Sequence, residues 1–311
     1  MHWIKKGHLF KPDGSLWWSK KYAMYPSPIY IQDQNIIRVF YGTVDENFYG
    51  RTSYIDVSAD DPMKIVNDPK NFVIDLGIKG TFDDCGATPA CAITVNGKDF
   101  LYYSGFCRSH QSPYHIFSGL AIKNKNGVYE KYSKVPVLDR TDLEYFDRAG
   151  QSVIYDNGIY KSWYVSGVRW ETLNSKLFNN KQMPLHTVRY ATSTDGINWE
   201  SLEKPSLEFE SEEEFGFGRP WVWKDGSIYR MWYSIRKKNL PYSMGYAESA
   251  DGIKWSRKDK EVGIFVSESG WDSEMVCYGA VLKVKEKIFM FYNGNNQGET
   301  GFGLAELASI R

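Results

Sequence analysis

The chain lacks the features that mark nucleic-acid-binding and membrane proteins. Basic and acidic residues balance at 38 each, so there is no excess positive charge to meet a phosphate backbone. No signal-peptide core follows the first charges, and no apolar run approaches the roughly 18 residues of a membrane span. No glycine-rich phosphate loop or dinucleotide fingerprint is present either. We therefore expect a cytoplasmic protein that binds neither nucleic acid nor membrane.

Cysteine and histidine are scarce, and neither is spaced for metal. The four cysteines form no CxxC pair and no disulfide-rich pattern, which favours reduced thiols. The mid-chain histidines match no metal motif. The sequence thus predicts no metal and no cofactor. The residues concerned are Cys85, Cys91, Cys107, Cys277, His110, His115 and His186.

Aromatic residues are abundant instead, at 16% of the chain, roughly twice the usual share. Such side chains fit the half-buried surface of a β-sheet. Most of them are expected in the core, although the same rings can also stack on sugars.

An aromatic strand that ends at a polar turn recurs five times along the chain. Tight Asn-Gly or Asp-Gly turns precede three copies, as two-residue hairpins require. Five copies at this spacing predict an all-β, five-bladed β-propeller with four antiparallel strands per blade. Two Ser-x-Asp-Gly-x-x-Trp hairpins, at 193–199 and 249–255, are interpreted as scaffold. The copies lie at residues 39–42, 101–105, 162–167, 231–234 and 290–294.

The last blade has only three strands of its own, ending at Glu306 and Leu307. The N-terminal segment 3–6 resembles segment 255–258 and is free to supply the fourth strand. We therefore expect residues 1–10 to close the ring, which would remove an exposed sheet edge. Residues 1–311 would then form a single domain.

A central site must draw on two kinds of segment, because both emerge on one face of a propeller. These are the segments that lead into each first strand and the loops between second and third strands. Charged residues at the mouth of a buried strand are costly unless paired or solvated, so their presence there is informative. Arg108, Arg169 and Arg236 occupy matching loop positions and suit an anionic or hydroxylated ligand, or else an ion-pair network.

Paired carboxylates are the economical means of cleaving or transferring a glycosyl group. The candidate catalytic residues are Asp84, Asp147 and Glu274. Arg148 is expected to keep Asp147 ionised, and apolar neighbours to raise the pKa of Glu274 toward that of an acid. The candidate substrate-binding residues are Tyr25, Asp83, Arg108, Arg148, Arg169, Arg219, Arg236, Tyr278 and Asn295.

A family resemblance rests on both hairpins and on four other segments. These are residues 82–89, 219–220, 271–275 and 292–295. It resembles the five-bladed propeller glycosidase superfamily of arabinanases, levansucrases and invertases, with the related mannoside phosphorylases. The resemblance implies a base or nucleophile Asp before the first blade, an orienting Asp and a Glu acid. Here segment 21–26 holds no carboxylate, so Asp84 or Asp45 is expected to replace the first Asp.

Two interpretations follow. The first is a glycoside hydrolase-like enzyme acting on a small saccharide in the central funnel. The second is a non-hydrolytic propeller of intracellular glycan metabolism, either a transferase, a phosphorylase or a sugar-binding component. They differ in whether two funnel carboxyls lie about 5 to 9.5 Å apart.

Overall fold

The computed structural model describes residues 1–310 and consists almost entirely of β-strands. Consecutive strands pair antiparallel in five units, here called units 1 to 5. Unit 1 contains β2 (Lys21–Ile31), β3 (Ile36–Val44), β4 (Gly50–Ser58) and β5 (Ile65–Asn67). Unit 2 contains β6 (Gly86–Val95), β7 (Lys98–Arg108), β8 (Tyr114–Lys123) and β9 (Tyr129–Lys131).

The same order continues through the chain. Unit 3 contains β10 (Arg148–Asp156), β11 (Ile159–Leu173), β12 (Lys181–Ser193) and β13 (Glu200–Ser201). Unit 4 contains β14 (Glu214–Asp225), β15 (Ile228–Lys237), β16 (Ser243–Ser249) and β17 (Ser256–Arg257). Unit 5 contains β18 (Cys277–Val284), β19 (Lys287–Asn293), β20 (Phe302–Ser309) and the N-terminal β1 (His2–Phe10). Short helical segments are α1 (Asn295–Gly298) and two 3-10 turns, Gln32–Gln34 and Asp259–Glu261.

The N-terminal strand lies at the outer edge of unit 5. Trp3 pairs with Leu307 and Ile4 with Glu306, as the sequence predicts. The N-terminal amine donates to the Glu261 carbonyl at 2.9 Å. The first and last strands of the chain are therefore neighbours.

The five aromatic repeats form the second strand of each unit, where side chains are packed on both faces. Asn96-Gly97 and Asn157-Gly158 have positive φ at both positions, the geometry of a two-residue hairpin. Trp163 and Trp232 are fully buried among these strands. The core thus consists largely of aromatic rings from the repeat itself.

A triplet of tyrosine, carboxylate and cation recurs in three units and joins the outermost strand to the second one. In unit 5 the Tyr292 hydroxyl donates to Asp272 at 2.9 Å, and Lys5 of β1 pairs with the same carboxylate at 2.6 Å. The equivalents are Tyr103, Asp83 and Lys131 in unit 2, and Tyr233, Asp259 and Arg257 in unit 4. Each triplet thus gives a carboxylate beside the core both a hydroxyl donor and a cation.

The two Ser-x-Asp-Gly-x-x-Trp hairpins contact the preceding unit. The Gly196 carbonyl accepts from the Tyr102 hydroxyl at 2.8 Å, and the Gly252 carbonyl accepts from the Trp163 indole at 2.7 Å. Asp195 holds its turn by accepting from the backbone N–H groups of Ile197 and Asn198. The hairpins are scaffold that ties neighbouring units together.

The first strand of every unit carries a β-bulge. Tyr25, Arg219 and Tyr278 lie at these bulges with φ of 57°, 38° and 55°. Large side chains rarely adopt such a conformation, which costs of order 1–3 kcal/mol and is frequent at functional sites. Within residues 1–310, no helix has the length and apolarity needed to cross a bilayer.

Candidate functional site

Neighbouring units meet where the third strand of one begins beside the first strand of the next. Parallel bridges place Gly50 opposite Gly86 and Phe117 opposite Arg148. His186 lies opposite Gly216 in the same way. This arrangement collects residues from the beginnings of β8, β10, β12 and β14 on one face.

Asp147, just before β10, is the centre of the site. Its side chain is fully buried, accepts from the Ile116 N–H at 3.0 Å, and lies 3.4 Å from Nε2 of His186. Nδ1 of His115 approaches its other oxygen at 3.6 Å. Burial acts to raise the pKa of Asp147, but these hydrogen bonds outweigh it and the pKa is lowered. Asp147 is therefore an ionised carboxylate inside the protein.

His186 links Asp147 to Arg236. An arginine can only donate, so the 3.0 Å contact from Arg236 makes Nδ1 of His186 an acceptor and puts the proton on Nε2, facing Asp147. Burial lowers the pKa of His186. Protonation would also place a second cation beside the guanidinium, so the imidazole is neutral.

Arg236 is a buried cation with little compensation. It is only 4% exposed, stacks over Phe215 at 4.5 Å, and lies 5.7 Å from the ring of Tyr242. Among residues 1–310 no carboxylate forms a salt bridge with it, and its Nε has no hydrogen-bond partner. A buried charge in this state favours an anionic or strongly accepting ligand.

Tyrosine rings from the innermost strands lie next to this charge cluster. The rings of Tyr25 and Tyr278 are 4.6 Å apart, and Tyr242 approaches Tyr278 edge-on at 6.2 Å. Burial raises the pKa of Tyr114, with Arg236 opposing the shift and Asp147 adding to it. Tyr114 is thus close to both charged groups, and these rings form an aromatic surface beside Asp147.

Arg219 is buried beneath these tyrosines and contacts three other units. It donates to the carbonyls of Tyr278 at 2.9 Å, Pro26 at 2.8 Å and Ala90 at 3.2 Å. Burial lowers the pKa of Arg219 to about 10. Its hydrogen bonds go to these carbonyls and to the Ser27 hydroxyl, so this predicted ligand-binding residue holds neighbouring strands in place.

The other candidate carboxylates differ from Asp147 in burial and partners. Asp84 is half-buried and accepts from the Gly80 N–H at 2.9 Å. Burial raises the pKa of Cys107, and both Asp84 and Asp147 add to that rise, so both carboxylates lie near this thiol. Glu274 is exposed. Asp83 belongs to the unit 2 triplet and Asp45 accepts from Arg51 at 3.1 Å.

The structure does not bring the three matching arginines together. Arg108 is exposed and donates to the Asn47 carbonyl at 2.7 Å, and Arg169 pairs with Glu171. Only Arg236 joins the Asp147 cluster. Asn295 uses its side-chain oxygen to accept from the Glu274 and Met275 N–H groups, so it orders the segment before β18.

The expected pairing of Arg148 with Asp147 is wrong. Arg148 forms a buried salt bridge with Glu144 at 3.1 Å and donates to the Tyr164 hydroxyl at 3.1 Å. The His186 imidazole and the Ile116 N–H bind Asp147 in place of the arginine.

Sequence reasoning missed His115, His186, Tyr114 and Tyr242 as site residues. The available signal was positional, since residues 114 and 115 begin β8 and residue 186 lies in β12, both third strands. Within residues 1–310 no group of three His, Cys, Asp or Glu side chains is arranged to hold a metal ion. A groove of about 1040 Å³ lies elsewhere, between β1 and residues 260–269.

No protein-family model matches the chain. The chain is 32% identical over 307 residues to an uncharacterised protein of Mycobacterium tuberculosis strain H37Rv, covering 99% of both. A 1,2-beta-oligomannan phosphorylase of Thermoanaerobacter is 29% identical over 152 residues, 47% of this chain and 48% of that protein.

Two solved structures extend the comparison. A glycosyl hydrolase from Bacteroides ovatus has a TM-score of 0.73 at 15% identity, over 100% of this chain and 94% of the other. The beta-fructofuranosidase of Bombyx mori has a TM-score of 0.61 at 16% identity, and the match covers 92% of this chain and 61% of the other. The chain therefore belongs to one family with this full-length mycobacterial relative, and it shares the fold of these two solved structures.

Proposed function

We propose that the chain is a carbohydrate-active enzyme that binds a small saccharide in a central funnel at Asp147, His186 and Arg236. The five units would be the blades of a closed propeller, with β1 completing the ring. Contacts between first strands support this, because β2 touches both β6 and β18, and β10 touches both β6 and β14. Four free cysteines fit a reducing cytoplasm.

The observation that carries the proposal is a fully buried, ionised Asp147 beside a buried arginine that has no carboxylate partner. Folding gains little from such an arrangement, because an incompletely paired charge is costly to bury. Perturbed ionisable groups with specific partners are typical of functional sites. Of the adjacent tyrosines, Tyr25 and Tyr114 are partly exposed and offer ring faces to a sugar in this proposal.

In this proposal Asp147 acts as an ionised group, serving as base or nucleophile or orienting the substrate. Hydrolysis needs a second carboxyl about 5 to 9.5 Å away as the acid. Asp84 is the first candidate, since it precedes the first strand of unit 2 as Asp147 precedes that of unit 3, and it is half-buried. Glu274 is the alternative acid, and its exposure suits a group that contacts substrate from solvent.

A second candidate is glycosyl transfer to phosphate. The free guanidinium valences of Arg236 favour it, because an arginine binds phosphate through two parallel hydrogen bonds. The oligomannan phosphorylase among the relatives supports the same candidate. In this version an oxygen of phosphate, instead of water, attacks the anomeric carbon as the glycosidic C–O bond breaks. One protonated carboxyl group, that of Asp84 or Glu274, then suffices to protonate the leaving oxygen.

The test uses β-1,2-mannooligosaccharides and sucrose, each with and without inorganic phosphate. Released reducing sugar reports hydrolysis, and released sugar 1-phosphate reports phosphorolysis. Asp147→Asn should lower kcat by at least about 100-fold while the thermal unfolding curve stays unchanged. Asp142→Asn, an exposed carboxylate of the same segment, is the control and should retain full activity. An active Asp147→Asn protein would contradict the proposal.

A further inference from the structure

Trp17 is the most exposed tryptophan among the large hydrophobic side chains, at 62%, and it lies in the segment that leads from β1 into β2. Trp18 beside it is buried. A two-residue turn positions the pair, because the Ser19 N–H donates to the Leu16 carbonyl at 3.2 Å. The turn leaves one ring of the pair in water.

The Trp17 ring is supported by contacts with Arg51 and Phe72. The guanidinium of Arg51 lies 4.8 Å from its centroid, and Phe72 meets it edge-on at 6.4 Å. Arg51 is itself fixed by Asp45 at 3.1 Å and Asp75 at 2.8 Å. A ring that is already ordered loses little entropy when a ligand stacks on its free face.

Phe48 repeats this arrangement in the neighbouring loop between β3 and β4. It is 52% exposed, has a φ of 61°, and Lys21 lies over its ring at 5.5 Å. Asp45 fixes the loop by accepting from the N–H groups of Asn47 and Tyr49. The loop therefore presents a second ordered, solvent-facing ring.

Both rings belong to the face on which Asp147 lies. Segments before first strands and loops between second and third strands emerge on one side of the sheet, since strand direction alternates. Arg108, from the equivalent loop of unit 2, reaches across to the Asn47 carbonyl. Arg108 thus ties the loop that carries Phe48 to unit 2 on this face.

We propose that Trp17 and Phe48 form an outer saccharide-binding surface, on which the sugar rings of an oligosaccharide longer than the funnel holds would stack. The inference rests on the proposed function and specifies its substrate as a chain of several sugars. Flat aromatic faces on rigid supports, without a deep pocket, suit repeated sugar units rather than a single one.

The experiment measures affinity for β-1,2-mannooligosaccharides of two to eight units by calorimetry. The proteins are the parent, Trp17→Ala, Phe48→Ala and Phe265→Ala, the last removing an equally exposed ring (62%) that lines the distant groove. We expect parent affinity to rise with chain length. Trp17→Ala should lose about 5- to 10-fold for long chains only, the worth of one aromatic contact, and Phe265→Ala should lose nothing.

Three results would overturn the inference. Affinity that does not depend on length in the parent would exclude an outer surface while leaving the funnel proposal intact. The same length dependence in the parent, Trp17→Ala and Phe48→Ala would also exclude the outer surface and leave the funnel proposal intact. In that case a changed sedimentation coefficient of the two variants would identify the rings as part of a protein interface. Absence of binding at any chain length would remove β-1,2-mannooligosaccharides as the ligand of both the funnel and the outer surface, and with them the inference, while leaving sucrose as a test of the funnel.

Discussion

Replacing Lys5 with methionine should destabilise the protein far more than an ordinary loss of a surface lysine. Lys5 lies on β1 and pairs with Asp272 at 2.6 Å, and it also donates to Ser267 at 2.8 Å. The Asp272 side chain is only 3% exposed. Methionine keeps most of the apolar stem of the side chain, so the change removes chiefly the charge.

The size of the stability loss depends on the partners that Asp272 keeps after Lys5 is replaced. Asp272 would stay buried with the Tyr292 hydroxyl as its side-chain donor. Removing one partner of a fully buried ion pair costs about 3–5 kcal/mol, but the Lys5 side chain is 26% exposed and water can reach the gap. We therefore expect a loss of about 2 kcal/mol in the free energy of unfolding.

Urea unfolding followed by tryptophan fluorescence measures this loss as a lower midpoint at an unchanged slope. Lys6→Met is the matched control, because Lys6 pairs with Glu306 at 3.2 Å with 41% of its side chain exposed, and it should cost below about 0.5 kcal/mol. Adding Asp272→Asn to Lys5→Met should recover part of the loss. Equal effects of the Lys5 and Lys6 changes would refute the reasoning.

Two further predictions concern the site and its support. The pKa of His186 is lowered in the folded protein, whereas in the unfolded chain it is about 6.5. As the pH falls below about 6.5, His186 is therefore protonated in the unfolded chain but not in the folded one, so the free energy of unfolding should decrease with acidification. His186→Gln should make stability less dependent on pH, as measured by denaturation at pH 5, 6 and 7. The pKa of His8 is also lowered, but His8 is present in both proteins and its effect cancels in the comparison. The same pH profile in both proteins would contradict the prediction. Arg219→Lys should cost about 2–4 kcal/mol in urea unfolding, since an ammonium cannot span carbonyls in three units. Arg169→Lys, on an exposed pair, should change nothing, and equal stability of the two variants would contradict the role of Arg219.

Much of the fold was predictable because its signals are local. Each aromatic strand and each Asn-Gly turn is specified by a few adjacent residues, so the repeat is visible in the sequence. The pairing of β1 with β20 was predictable for the same reason, as segment 3–6 resembles 255–258.

The site was less predictable because its partners are distant in sequence. Asp147 was identified from its place before a buried strand, but its contacts come from residues 115, 116 and 186. The adjacent Arg148 was the wrong partner to predict, because its guanidinium pairs with Glu144 instead. No local motif identifies a histidine that serves a carboxylate more than 30 residues away.

The position of β1 has a consequence for synthesis. The strand is synthesised long before its partner, Phe302–Ser309, which lies at the other end of the fold. At about 5–20 residues per second, the interval is about 15–60 s, during which Trp3 and an unpaired strand edge stay exposed. The protein is thus vulnerable to aggregation until Phe302–Ser309 is made, and conditions that slow translation should lower its soluble yield.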